Sequence, residues 1–172
     1  MVRVRLLVLG GVVGAVVALL AGGCDPAPKP APPIKVSPSP SVDAKAKVQA
    51  DYLAYWAALK AAHEASDPSY PDLKKHASGQ GLTDAQMAIQ SLRSVDMVLK
   101  GTPTHRIDVR SVNGTGAAVY DCLDTHGWEY LDRKTGKPHA PQPAKTVFGT
   151  TYQLTLKSGV WQVESGKGRE KC

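Results

Sequence analysis

Aromatic residues are scarce in this 172-residue chain, at 6%, with a single Phe. Cysteine is scarcer, at three residues. Three Cys cannot build a disulfide-dense miniprotein. The chain holds no phosphate-cradling glycine loop and no nucleophile elbow. Its histidines, His63, His76, His105, His126 and His139, do not pair at zinc-ligand spacing, so neither a metal site nor a cofactor is expected. No basic run interleaved with aromatics is present, which argues against a nucleic-acid partner despite the formal charge of +6. The apolar share of 42% is too high for a wholly disordered chain, and the length suits one ordinary domain.

What is present begins with an address. Arg3 and Arg5 precede a stretch, Leu6 to Gly23, with no charged residue. Residues 1–23 read as a secretory signal. The stretch ends Leu19-Leu20-Ala21-Gly22-Gly23-Cys24, which resembles a bacterial lipobox: small residues fit the peptidase, and Cys24 is then acylated, as with palmitate, and becomes the mature N-terminus. Ala21 stands where such boxes usually carry Leu. The alternative is an uncleaved membrane helix, for which 18 uncharged residues would be just long enough, but the glycines in the run weaken it. From Cys24 onward, 19 basic residues face 15 acidic ones, a mild +4.

Seven of the 13 Pro lie between residues 25 and 41. Proline fixes φ and lacks an N–H, so residues 24–42 read as a lipidated Cys followed by an extended polyproline tether. At about 3.1 Å per residue it reaches at most ~55 Å from a membrane. The chain is therefore expected on the extracytoplasmic face of the cell membrane, held by lipid.

Residues 43–172 read as one α+β domain. Val48, Tyr52, Tyr55, Trp56, Leu59 and Ala62 recur at helical spacing, with Ser41 or Asp43 as cap and Asp67-Pro68 as stop. A short helix is expected from Pro71 to Ala77. Thr83 to Gln86 reads as a capping box opening a third helix, whose stripe runs through Ala85, Ala88, Ile89, Leu92, Val95 and Leu99 to a stop at Gly101-Thr102-Pro103. The period then changes to two. Strands are expected around Ile107–Arg110, Ala117–Leu123, Lys145–Leu156 and Val160–Glu164, with turns at Asn113-Gly114, Asp132–Gly136 and Ser158-Gly159. Trp128-Glu129-Tyr130 reads as an extension of the second strand. Helices followed by an antiparallel meander place helices on one sheet face.

Tyr52-x-x-Tyr55-Trp56, Val119-x-Asp121-Cys122, Gly159-x-Trp161-x-Val163 and the late Cys172 resemble a group of small actinobacterial lipoproteins. The lipobox and the Pro-rich tether fit that group too. The resemblance implies the nuclear transport factor 2-like cone fold, with helices packed into a curved antiparallel sheet. That fold hosts isomerases, dehydratases, transport adaptors and plain structural modules, so it does not decide function.

The strongest acid/base constellation is Asp121 with Tyr120, Asp124 and His126. A buried Asp121 would be a proton-abstracting base beside a donating Tyr; the plainer reading is a strand carboxylate satisfied by a neighbour. With Cys24 taken by lipid, Cys122 and Cys172 remain, an even number in an exported protein, and are expected to pair. Unpaired thiols, or an intermolecular bond through Cys172, are the alternatives. Lys167, Arg169 and Lys171 would form a solvated tail or meet anionic wall polymer. The function expected is a non-catalytic binding or accessory module of the cell envelope, with an envelope protein or a small ligand as partner. The alternatives are a small cone-fold enzyme of isomerase or dehydratase type on an apolar molecule, or a wall-polymer binder.

Overall fold

The computed structural model describes residues 41–172. The expected signal, the expected acylation site Cys24 and the Pro-rich segment up to residue 40 lie outside the described residues. No helix among the described residues is long and apolar enough to cross a membrane.

Helix α1 spans Val42–Ala65. Ser41 keeps extended backbone and its Oγ accepts from the Ala44 N–H at 3.2 Å, so the helix starts where a hydroxyl can satisfy a free donor. The tether reading therefore overruns by two residues, since Ser41 is the cap and Val42 is helical. The buried stripe of α1 is the expected one. The helix ends at Ser66, whose left-handed backbone (φ 53°) lets its N–H return to the Ala62 and His63 carbonyls. Helix α2 is a single turn, Leu73–His76, shorter than expected, with Leu73 wholly buried.

Helix α3, Gly79–Ser94, starts four residues before the Thr83 capping box. Thr83 is inside the helix, where its Oγ1 donates to the Gly79 carbonyl at 3.1 Å. The reason is tertiary. The Ser78 N–H donates to the Val163 carbonyl at 2.9 Å, and Ala77 forms a parallel bridge with Val163. A Cβ on Gly81 would lie 2.9 Å from that same carbonyl oxygen. Gly79 and Gly81 thus let α3 begin directly against the sheet.

Two further expectations fail in the same region. Leu99 does not continue α3. Asp96 turns the chain in left-handed conformation (φ 54°), Val95 is exposed, and Met97–Gly101 is strand β1. Trp128-Glu129-Tyr130 does not extend the second strand; Trp128–Asp132 is β4, paired antiparallel with β1 from Gly101↔Trp128 to Met97↔Asp132. Helical spacing over so short an apolar run does not separate helix from strand, and each strand is supported only by its distant partner. Gly101 (φ 96°) permits the join, since a Cβ there would meet the Gly127 carbonyl oxygen. The Asp96 carboxylate ties the turn to β4 through Arg133 and Lys134, both at 2.8 Å.

The main sheet is antiparallel in the order β2-β3-β5-β6, from Thr104–Asn113, Gly116–Asp124, Val147–Lys157 and Val160–Glu170. The Asn113-Gly114 and Ser158-Gly159 turns are as read, with Gly114, Ser158 and Gly159 all at positive φ. Strand β6 runs six residues beyond the expected end. Ser165 to Glu170 is therefore paired with β5 rather than a solvated tail. Bulges interrupt β2 between Val109 and Ser111 and the β5–β6 ladder at two places; such extra residues bend strands and increase twist. All three helices pack on this sheet, giving the α+β class expected, with Tyr52, Leu73, Ile89, Val119, Leu154 and Val163 at the centre of the core.

Candidate functional site

Between α1, α3, the β1–β4 pair and the β5–β6 end of the main sheet lies a cavity of about 470 Å³. The α1 stripe supplies Tyr55, Trp56, Leu59 and His63 to its wall. Strand β4 contributes Trp128 and Tyr130, which share one side of that strand at period two, and β5 contributes Tyr152. The rings are continuous: the centroid of Trp56 is 5.6 Å from Tyr55, 6.0 Å from Trp128 and 6.3 Å from Tyr152. Helix α3 closes the other side with Ala85, Ala88 and Leu92. Its one carboxylate at the cavity, Asp84, stands on an exposed position and accepts from Gln80 Nε2 at 2.7 Å.

His63, Tyr55 and Tyr152 of the wall are held neutral by burial. His63 is in the last turn of α1, where the helix dipole favours a cation. Burial outweighs that, and pushes its pKa down from 6.5 to about 4. Its Nδ1 has no hydrogen-bond partner among the described residues. Burial also raises the Tyr55 hydroxyl well above the usual phenol range and lifts Tyr152 to about 12.

Asp121 is wholly buried but does not line this cavity. Its Oδ2 accepts from Tyr52 Oη at 2.9 Å and shares a 2.6 Å hydrogen bond with His105 Nδ1. Its Oδ1 has no partner among the described residues. Burial foremost, and then the neighbouring acidic groups Tyr152 and Asp121, raises the Tyr52 hydroxyl far above the usual phenol range. Tyr52 and Trp56 both pack against the His105 ring, at 6.4 and 4.8 Å between centroids, and Tyr152 lies 5.2 Å from Tyr52. The trio therefore sits behind the cavity's aromatic wall.

The constellation read from the sequence is split by the strand. Tyr120 lies on the other face of β3, its ring beneath the Arg110 guanidinium at 4.2 Å and across Gly149, where a Cβ would clash with it. His126 is in the turn after β3, exposed, with its Nδ1 2.5 Å from Asp124 Oδ1. Neither reaches Asp121 as a partner. The residues that do, Tyr52 and His105, were missed. Tyr52 was visible only as one member of a helix stripe. His105 is diagonal to Asp121 across the hairpin, where Ile107 faces Asp121 and His105 faces Leu123.

On the outer face, Cys122 and Cys172 are joined, their Cα atoms 6.0 Å apart. Arg106 Nη2 approaches Cys122 Sγ at 2.9 Å. Of the late basic residues, Lys167 pairs with Thr151 in the ladder and Arg169 lies over the Phe148 ring at 4.0 Å. Among the described residues no group of three His, Cys, Asp or Glu stands close enough to hold a metal ion.

No family model matches this chain, and no curated protein matches it in sequence. Solved structures do. The intermembrane space region of the chloroplast protein ARC6 superposes with a TM-score of 0.52 at 14% identity, covering 78% of this chain and all of that one. A cystatin-like-fold protein of unknown function from Nostoc punctiforme gives 0.43 at 9% identity over 77% of this chain and 93% of its own. An NTF-2-like protein of unknown function from Shewanella oneidensis gives 0.42 at 10% over 69% and 95%. At these identities the likeness is one of fold, and the chain is an α+β protein with helices packed on an antiparallel sheet.

Proposed function

We propose that this chain is a lipoprotein anchored through Cys24 to the outer face of the cell membrane, and that its domain is a non-catalytic binding module of the envelope. The observation that carries the binding reading is the aromatic-walled cavity between α1, α3 and β4. Its size lies within the range of small-molecule pockets, and it combines an apolar wall with a few polar groups. A proton-transfer enzyme needs an acid or base within hydrogen-bond reach of the substrate. The burial of Asp121 beside a tyrosine favours that second reading, but its partners and position speak for a structural role. Its hydrogen bonds go to Tyr52 and His105, against which the cavity-lining rings of Trp56 and Tyr152 pack.

The test has two arms. Cys24→Ala should release the chain from the membrane fraction or leave the precursor unprocessed; retention with an unchanged mass would exclude this anchor. A diacylated Cys supplies the two chains that firm attachment requires. Native mass spectrometry of the chain taken from its own membranes should show one retained small molecule, absent from a cavity-filling Ala88→Trp variant. Retention by both proteins would place the ligand elsewhere.

A further inference from the structure

We infer that the cavity selects an organic monocation: a ligand with an ammonium or similar centre on a compact apolar body. This rests on the binding reading above and names the ligand class. The chain has only ten aromatic residues, and five of them, Tyr55, Trp56, Trp128, Tyr130 and Tyr152, line this one cavity. Aromatic faces carry negative potential and attract cations, most strongly where water is excluded. The wall contains no Lys and no Arg, in a chain with 21 of them. An anionic ligand would therefore meet the aromatic faces and the Asp84 carboxylate with no counter-charge in the wall.

The single carboxylate at the cavity is uncompensated. Asp84 accepts a hydrogen bond from neutral Gln80 and forms no ion pair with a cationic side chain among the described residues. Asp43 in the first turn of α1 is likewise without an ion pair among the described residues, whereas Asp51, Glu64 and Asp72 each meet a lysine one turn away. The one basic group in the wall, His63, is kept uncharged by burial and does not compete with a bound cation. Aromatic wall, lone carboxylate and missing basic residues all point to the same sign of charge.

Isothermal titration of the full chain with benzyltrimethylammonium, its uncharged carbon isostere neopentylbenzene, and benzenesulfonate tests this. The cation should bind one to one, about tenfold or more tighter than the isostere, with no binding of the sulfonate. Asp84→Asn should weaken the cation two- to fivefold, roughly the range for one exposed charge contact, and leave the isostere unchanged. Ala88→Trp should abolish binding of both. Equal affinity for cation and isostere, both lost in Ala88→Trp, would overturn the charge class while leaving the binding module standing. Preference for the sulfonate would overturn it as well. Absence of binding by all three probes would overturn both readings.

Discussion

Asp121 on β3 and His105 on β2 meet diagonally across the hairpin, 2.6 Å from Oδ2 to Nδ1, with the Asp121 side chain wholly buried. A buried carboxyl group removed from its donors is left to carry its desolvation cost alone. His105→Ala should therefore destabilise the domain by at least about 1–3 kcal/mol, the range for leaving a buried polar partner unsatisfied, with the cavity left by the ring adding to it. Tyr52→Phe should cost less, about 1–3 kcal/mol, since His105 remains. A double-mutant cycle of Tyr52→Phe with Asp121→Asn, read by urea denaturation, should show coupling of about 0.5–3 kcal/mol. Independent effects would mean that the hydrogen bond contributes nothing.

The pH dependence should follow His63. Its folded pKa of about 4 is below the ordinary 6.5, so the unfolded chain takes up the proton first. Stability from this group is then intact above pH 6.5 and falls progressively as pH drops toward 4. The full loss is about 3 kcal/mol at 1.36 kcal/mol per unit. Thermal melts from pH 7.5 to 4 should show a decline that is much shallower in His63→Gln. Equal slopes in the two proteins would assign acid sensitivity to other groups.

The Cys122–Cys172 bond closes a loop with a sequence separation of 50. The chain-entropy view gives roughly 4 kcal/mol for such a loop, as an upper figure. Because β6 is already paired with β5 through Glu170, the bond staples a formed strand end rather than pinning a loose tail. Reduction should lower the melting temperature by several degrees without unfolding the domain at 25 °C. Alkylation of both thiols without reductant, in protein exported natively, would refute the bond.

Gly81 should resist substitution. Helix propensity favours Ala over Gly by about 1 kcal/mol. Here the new methyl would meet the Val163 carbonyl at 2.9 Å and its Cγ1 at 3.2 Å, and a backbone oxygen cannot rotate away. Gly81→Ala is expected to be net destabilising by about 1–3 kcal/mol, as overpacking is. A raised melting temperature would show that α3 shifts freely on the sheet.

These relationships mark how far the sequence could be read. The α1 stripe, its Ser41 cap and the glycine turns were legible because local chemistry decides them. The α+β class followed from the change of period after Pro103. Strands β1 and β4 were not legible, because Leu99 and Trp128 are in strands only by virtue of each other's strand. The start of α3 was misread because Gly79 and Gly81 serve contact with β6 rather than helix termination. Asp121 stood out in the sequence, and the structure buries it wholly. Its partners did not: an unbroken hairpin register would set Asp108 opposite Asp121 and His105 on the other face, and the bulge at Val109/Ser111 is what brings His105 to the face of Asp121. The aromatic wall escaped notice because it draws on three separate elements.

The central claim is that the cavity binds and Asp121 supports. Titration of the full chain with the neutral apolar dye Nile red tests it most directly, in the unaltered protein, in Ala88→Trp and in Asp121→Asn, each first shown to be folded by its melt. The account predicts one saturable site in the unaltered chain, its loss in Ala88→Trp, and its retention in Asp121→Asn. Dye binding that survives Ala88→Trp, or that vanishes in a folded Asp121→Asn protein, would contradict it.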